Sequence, residues 1–301
     1  MFDFKLYLEL KRKQVNNALN EFFNLTSHSN RIAEVMRYSV MAGGKRLRPI
    51  LCIAGAEAVN GYNDDVLKAA CALEMIHTYS LIHDDLPAID DDNLRRGKLT
   101  SHVKFDEATA ILAGDALLTL AFQVLSSSYA SNNDHVNFCL STKWLEVISC
   151  ISNAAGHNGM IEGQMRDIAY EGMQINLADL EKMHSLKTGA LIEASVCSGA
   201  ILGNGLPIQI DQLKLYAKNI GLAFQVTDDI LNIEGDPKLL GKAVGTDAAH
   251  GKNTYPLLMG IDKSKKYAVK LIDKALQAIE NFDSKSDPLR KIAQYILTRN
   301  R

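Results

Sequence analysis

Residues 211–234 read DQLKLYAKNIGLAFQVTDDILNIE, and the order of apolar positions in this stretch decides the fold class. Leu213, Tyr216, Ile220, Ala223, Val226, Ile230 and Ile233 recur at intervals of three and four, the repeat of one face of an α-helix. Between them Gly221, Gln225, Asp228 and Asn232 form a second stripe at i, i+4, i+7 and i+11. The same repeat runs through most of the chain, whereas alternating runs of Val, Ile and Thr are few and prolines number only 6. The expected class is all-α. With 301 residues, 47% of them hydrophobic, the chain can bury a large core, and disorder is excluded. Polar breaks at 61–65, 126–134, 203–207, 235–253 and 283–287 separate the helical patterns, and none is a linker long enough to divide domains. A single domain over 1–301, with about ten helices, is the expectation.

Lys and Arg number 33 against 35 Asp and Glu, a formal charge of −2, so no global field draws the protein to nucleic acid or an anionic membrane. Any phosphate binding must be local. The 5 cysteines are widely spaced without a CxxC pair, which fits reduced thiols and a cytoplasmic location better than a disulfide frame or a zinc site. The N-terminal MFDFKLYLELKRKQ mixes acids and bases unlike a secretory signal, and no later run approaches the roughly eighteen apolar residues of a membrane span. A soluble protein without a membrane span is expected.

Two aspartate pairs carry the chemistry. The first closes an apolar helix ending SLIH at His83 and continues DDLPAIDDDNLRRG, with five aspartates and two arginines between Asp84 and Arg96. Carboxylates are disfavoured at the negative end of a helix dipole, so they call for a cation. Hard oxygen donors without His or Cys at ligand spacing favour magnesium, shared between carboxylates and a substrate phosphate, over a softer metal. A solvated acidic loop is the bland alternative. The second pair, Asp228-Asp229, lies on the polar stripe quoted above. An exposed polar face is the commoner origin of such a stripe, but Gly221 and Gln225 suit close approach of a ligand better than a charged solvent face.

Cations accompany both pairs. GGKRLRP at 43–49 sets Lys45 and Arg48 three apart, on one face of any helical turn there, behind glycines that let backbone approach an anion. Arg95 and Arg96 follow the acidic loop, Lys187-Thr188 lies inside a helical pattern, and Lys242 and Lys252 follow the second pair. Each alone reads as an ordinary surface cation; together beside two acidic centres they could hold two diphosphates. His77 lies two helical turns before Asp84, placed to donate to a phosphate.

These motifs, with GDALL at 114, GQMRD at 163, HSLKTGALI at 184, FQVTDDILN at 224, LGK at 240, GKNTYP at 251 and a terminus of YILTRNR, cover nearly the whole chain in order. The sequence resembles the trans-isoprenyl diphosphate synthases, and within them the bacterial farnesyl diphosphate synthases. The resemblance implies a helical bundle around a central cavity, usually dimeric, whose mouth carries the two motifs facing each other. It implies about three Mg2+ ions per site, with Asp84, Asp90 and Asp228 as ligands and Asp85 and Asp229 in support. Arg95, Lys187, Thr188, Gln225, Lys242 and Lys252 would bind the allylic diphosphate. Lys45, Arg48, His77 and Arg96 would bind isopentenyl diphosphate. Among these, Lys187, Thr188 and Gln225 would act in catalysis, the last two stabilising an allylic cation through their dipoles. The implied reaction is head-to-tail condensation of isopentenyl diphosphate with dimethylallyl and then geranyl diphosphate by ionisation, condensation and elimination.

Chain length would be read at Tyr79 and Ser80, five and four residues before Asp84 and so about 6 to 7.5 Å of rise below it. Tyr79, together with the inserted Pro87-Ala88, resembles the makers of fifteen-carbon chains; a twenty-carbon geranylgeranyl synthase is the nearest rival. Asn232 stands where the second motif ends in aspartate, and Asn93 where another aspartate is frequent, so weaker affinity for the third magnesium is expected. His83-Asp84 is also similar to the HD dipeptide of metal-dependent phosphohydrolases, a reading that leaves Asp228, Lys187 and the arginine pair unexplained. A non-catalytic subunit would predict decay of the charged positions, and only Asn232 and Asn93 depart.

Overall fold

The protein is described, in a computed structural model, over residues 2–25, 30–130, 138–235 and 251–299. The first half of the chain runs through α1 (Phe4–Leu25), α2 (Arg31–Val40), α3 (Leu47–Ala58), α4 (Asp64–Asp84), α5 (Ser101–Lys104), α6 (Glu107–Ala130) and α7 (Phe138–Ala155). It continues through α8 (Met160–Ala169), α9 (Leu177–His184), a π-helical turn (Ser185–Gly189), α10 (Ala190–Leu202) and α11 (Pro207–Glu234). The described chain ends with α12 (Tyr255–Met259), α13 (Ile261–Ala278) and α14 (Asp287–Thr298). The fold is all-α and forms a single domain. The one β element among the described residues is a two-residue antiparallel hairpin, β1 (Leu94–Arg95) with β2 (Lys98–Leu99). There are more helices than the ten expected, because short segments such as α5 and α12 carry too few turns to show a repeat in sequence.

Helix α4 is the axis. The Asn63 side chain accepts from the Val66 amide at 3.1 Å, and Asp64 and Asp65 sit in the first turn, where the dipole favours acids. Ala69, Ala70, Cys71, Ala72, Leu73, Met75 and Ile76 are fully buried, so α4 is covered on all sides and directs its C-terminal aspartates from the bundle interior toward one end. α3 crosses α10 at backbone contact: a Cβ on Gly199 would lie 1.8 Å from the Cys52 carbonyl oxygen. Any side chain at Gly199 would drive the two helices apart.

Two apolar clusters flank this crossing. One joins α1, α2, α4, α6 and α7 around Leu73, Leu117 and Trp144; the other joins α3, α11, α13 and α14 around Tyr216, whose hydroxyl donates to the Leu289 carbonyl at 2.7 Å. The repeat in 211–234 forms one 28-residue helix opened by Pro207, with Gln209 accepting from the Leu206 amide. Ile233 departs from the expected core face and is exposed. The last turn of α11 packs through Asp229 and Asn232 instead, leaving Ile233 in the wall of an open cleft with Leu257 and Met259.

The segment Glu107–Ser127 of α6 is long and apolar enough to cross a membrane, which the sequence reading did not anticipate. Here it packs along α4 and touches α2, α5 and α7. Cys52, Cys71, Cys150 and Cys197 are free thiols, three of them buried.

Candidate active site

The C-terminal end of α4 breaks where Pro87 forbids further helix, and the chain folds back over its own terminus. The Asp85 amide donates to Leu81, that of Leu86 to His83, and that of Asp90 to the Asp84 carbonyl at 2.9 Å, so Asp90 returns beside Asp84 despite the five intervening residues. The Asp84 carboxyl is pushed up to about 6 by burial; Lys187 opposes the shift and Asp90 adds to it. Asp85 is buried and takes both Nε and Nη2 of Arg95, at 2.6 and 2.5 Å. Arg95 is therefore tied to the first motif by a fork that also reaches Asp92 at 3.4 Å.

The π-helical turn presents Lys187 and Thr188 toward the same end of the bundle. Such turns are rare and cluster at functional sites. Two glycines let neighbours close on it: a Cβ on Gly163 would lie 2.1 Å from the Lys187 amide nitrogen, and one on Gly221 would lie 3.0 Å from the Gly189 Cα. The glycine in GQMRD thus seats α8 on the turn. Gly221 serves helix packing, not the ligand approach expected of it.

Lys187 Nζ lies 2.5 Å from Asp167 Oδ2, and Lys252 Nζ lies 3.9 Å from the same oxygen and 3.3 Å from Asp90 Oδ1. One chain of alternating charge therefore joins Asp90, Lys252, Asp167 and Lys187. Burial works against ionisation of Asp167, but Lys187 and Lys252 outweigh it and hold the carboxyl below its ordinary value. Thr188 Oγ1 donates to Gln225 Oε1 at 2.9 Å, linking the π turn to the polar stripe of α11.

That stripe is not a solvent face: Gly221, Asp229 and Asn232 are buried and Gln225 and Asp228 half-buried. The buried Asp229 accepts from the Tyr255 amide at 3.0 Å and so anchors α12. Asp228 faces Arg299, with Nη2 to Oδ1 at 3.2 Å. His184 lies between the halves of the site. Burial holds its pKa down at about 4, while Asp167 and Asp228 pull it upward and Lys187 downward. The charges of Asp167 on one side and Asp228 on the other thus both act on His184.

A second basic cluster forms behind the first motif. His77 is held well below its ordinary pKa by burial and by Arg48, Arg96, Arg95 and Arg46, so it is a neutral ring among guanidinium groups. Arg48 is brought down to about 10 by burial, with Glu74 opposing and Arg96 adding, and its buried Nε lacks a hydrogen-bond partner. Arg96 donates to the Gly43 carbonyl and lies on Gly44, where a Cβ would meet the guanidinium at 2.6 Å. Gly44 makes room for an arginine, while Gly43, with φ of 104°, has open space on its Cβ side. Arg46 has left-handed φ of 56° and precedes α3, so Lys45 lies outside the helix and does not share a helical face with Arg48 as expected. Lys45 instead lines a cavity of about 300 Å³ with Phe4, Phe224, Tyr295 and Arg299.

Tyr79 is buried, its ring edge-on to His83 at 5.7 Å between centroids; Ser80 donates to the His77 carbonyl at 2.9 Å. His83 Nε2 contacts the Ile111 carbonyl at 3.0 Å, turned to α6. Lys242 lies outside the described residues. Sequence reasoning left four contributors unassigned. Asp167 was visible only as a letter in GQMRD. Glu74 and Arg46 form a buried pair at 2.6 Å that no spacing announces, and Arg299 comes from the far end of the chain.

The donor set fits magnesium. Asp84 and Asp90 are hard oxygen donors held together by the Asp90 amide at a negative helix terminus, with no thiolate or imidazole between them. Among the described residues no group of three or more His, Cys, Asp or Glu converges to hold an ion alone, so water or phosphate oxygens would complete the coordination.

The polyprenyl synthetase family profile matches residues 29–296. The chain is 46% identical to a chloroplastic heterodimeric geranylgeranyl pyrophosphate synthase large subunit 1 of Arabidopsis thaliana, over 99% of this chain and 80% of that protein. It is 45% identical to a dimethylallyltranstransferase of Fischerella ambigua, over 99% and 84%. The structure of an FPP/GFPP synthase from Zymomonas mobilis superposes with a TM-score of 0.83 at 37% identity, covering 97% of this chain and 99% of that one.

Proposed function

The chain belongs to the polyprenyl synthetase family and is a prenyltransferase of isoprenoid biosynthesis; from that premise we propose that it joins isopentenyl diphosphate head-to-tail to an allylic diphosphate, with magnesium, releasing diphosphate. The observation that carries this reading is the charge chain Asp90–Lys252–Asp167–Lys187 beside Asp84, set against a separate basic cluster of Arg48, His77 and Arg96. Two anion sites on either side of one acidic centre suit two diphosphates, only one of which must leave. Asp84, Asp90 and Asp228 would hold magnesium, which supplies charge neutralisation to the departing diphosphate. Lys187, Lys252 and Arg95 orient that diphosphate, with Lys242 assigned to it from sequence. Arg48, Arg96 and the N–H of neutral His77 hold the other substrate in place, with Lys45 assigned to it from sequence. The Thr188 hydroxyl, its proton given to Gln225, turns lone pairs outward, so both side chains offer negative dipole ends to an allylic cation. The proton lost after carbon–carbon bond formation passes to the released diphosphate, and no side chain need be a strong base.

For product length, the names of the relatives favour twenty carbons, the alternative above, over the fifteen expected from sequence. One observation favours fifteen: the buried Tyr79 ring, one helical turn and a half below Asp84. Chromatography of the dephosphorylated product formed from isopentenyl and dimethylallyl diphosphates decides between them. A dominant twenty-carbon alcohol supports the first reading, and a dominant fifteen-carbon alcohol overturns it in favour of Tyr79 as the floor.

The proposal extends to residues 1–301 as one such domain, a cytoplasmic location and a homodimer. Exposed Ile111 and Leu112 on α6 and Leu145 on α7 support self-association. Buried Asn232 keeps an acceptor oxygen without a charge and weakens the third magnesium. An unchanged magnesium half-saturation in Asn232→Asp removes that last point.

A further inference from the structure

The last described residue contributes to the site from the opposite end of the chain. Arg299 caps α14 in extended conformation, and its side chain is only 2% exposed. Its Nη2 donates to the Phe224 carbonyl at 2.8 Å and to Asp228 Oδ1 at 3.2 Å, and its guanidinium carbon stands 3.9 Å over the Phe224 ring. Buried Nε lacks a partner. A buried guanidinium with one donor unsatisfied is costly unless a nearby anion compensates it, and Asp228 is the carboxylate within reach. Asp228 keeps 41% of its side chain exposed, so Arg299 holds one carboxylate oxygen while the side chain stays open to solvent.

We propose that Arg299 is a positioning residue that acts as the resident counter-cation of Asp228, fixing its rotamer in the metal-free enzyme and reducing the negative charge offered to an incoming divalent ion. This rests on the reading of Asp228 as a magnesium ligand. The second motif would then be weakened twice, by the amide at Asn232 and by the guanidinium behind Asp228. The site would load through Asp84 and Asp90 first, and through Asp228 only when a diphosphate adds its own negative charge. The contact also couples the last helix to metal loading, because α14 ends on the residue that the ion opposes.

The test uses Mn2+ with inorganic diphosphate as probe and free Mn2+ measured by electron paramagnetic resonance, on the wild-type chain, Arg299→Gln, Arg299→Lys and Asp228→Asn. Removing a unit charge roughly 5 Å from a divalent ion raises its affinity at least about tenfold, a value reached already at the dielectric of bulk water. Arg299→Gln is expected to bind the weakest Mn2+ at least about tenfold more tightly, Arg299→Lys to stay near wild type, and Mn2+ to raise the thermal midpoint of Arg299→Gln more than that of wild type. Unchanged or weaker Mn2+ binding in Arg299→Gln, while Asp228→Asn abolishes one site, overturns the proposal and leaves the metal reading of Asp228 intact. Wild type and Asp228→Asn binding alike overturns both. The Lys variant guards against misfolding: if Gln does not fold, Lys binding Mn2+ tenfold more tightly than wild type also overturns the charge account.

Discussion

Glu74→Gln removes the only carboxylate of the buried Arg46–Glu74 pair, whose side chains are 1% and 2% exposed and 2.6 Å apart. Arg46 keeps the Val40 carbonyl at 2.6 Å and Asn16 at 2.9 Å, so its hydrogen bonds survive while its charge loses its counter-charge. Breaking one partner of a buried pair costs about 3 to 5 kcal/mol; since Gln retains an acceptor, the lower end, about 3 kcal/mol, applies. Unfolding entropy of roughly 2.1 cal/mol/K per residue gives about 0.6 kcal/mol/K for 301 residues, so the melting midpoint falls by about 5 °C. Glu74 also offsets the repulsion at Arg48 and Arg96, and Arg46 holds the left-handed turn between Lys45 and Arg48. The KM for isopentenyl diphosphate therefore rises about tenfold, with the allylic KM changing less than twofold, as calorimetry and steady-state kinetics measure. Replacing both partners, Arg46→Met with Glu74→Leu, restores most of the midpoint but not the KM. A midpoint within about 1 °C of wild type in Glu74→Gln, with an unchanged KM, refutes the electrostatic reasoning.

Three other outcomes are expected. Asp167→Asn releases Lys187 and Lys252 from their shared carboxylate; loss of charge-assisted hydrogen bonds worth roughly 1.5 to 3 kcal/mol lowers kcat/KM for the allylic substrate about ten- to hundredfold, and equal loss for both substrates contradicts it. Tyr79→Ser separates the two product readings: a product longer by at least one five-carbon unit in chromatography supports the buried ring as the floor, whereas an unchanged product removes it and agrees with the twenty-carbon reading. His184 has a folded pKa of about 4 against 6.5, so its neutral form stabilises the fold fully above pH 6.5, and that contribution is lost as pH falls toward 4. Between pH 7 and 4.5 wild type loses a few kcal/mol more stability than His184→Asn in urea melts, and parallel curves would contradict the assignment.

The long repeats were legible because burial on one face of a helix writes itself into spacing: α11 follows its repeat from Leu213 to Ile230, and α4 ends where Pro87 requires. The short hairpin and α12 were not legible, since two to five residues carry no periodicity. Charged motifs announced Asp84, Asp90, Lys187 and Asp228 as chemistry but not their partners. That Asp85 grips Arg95, that Asp167 spans two lysines, and that Gly44 yields space to Arg96 depend on backbone paths that meet only in the folded bundle. Arg299 shows the limit most clearly, because 71 residues separate it from Asp228 and no pattern connects them.

The most direct test of the central claim is the reaction of isopentenyl with geranyl diphosphate, followed by simultaneous assay of released diphosphate and extended prenyl product, with magnesium and with chelator. The account predicts one diphosphate released for each five-carbon unit added, with magnesium only. Release of diphosphate without a new carbon–carbon bond, or no reaction with magnesium present, would contradict it.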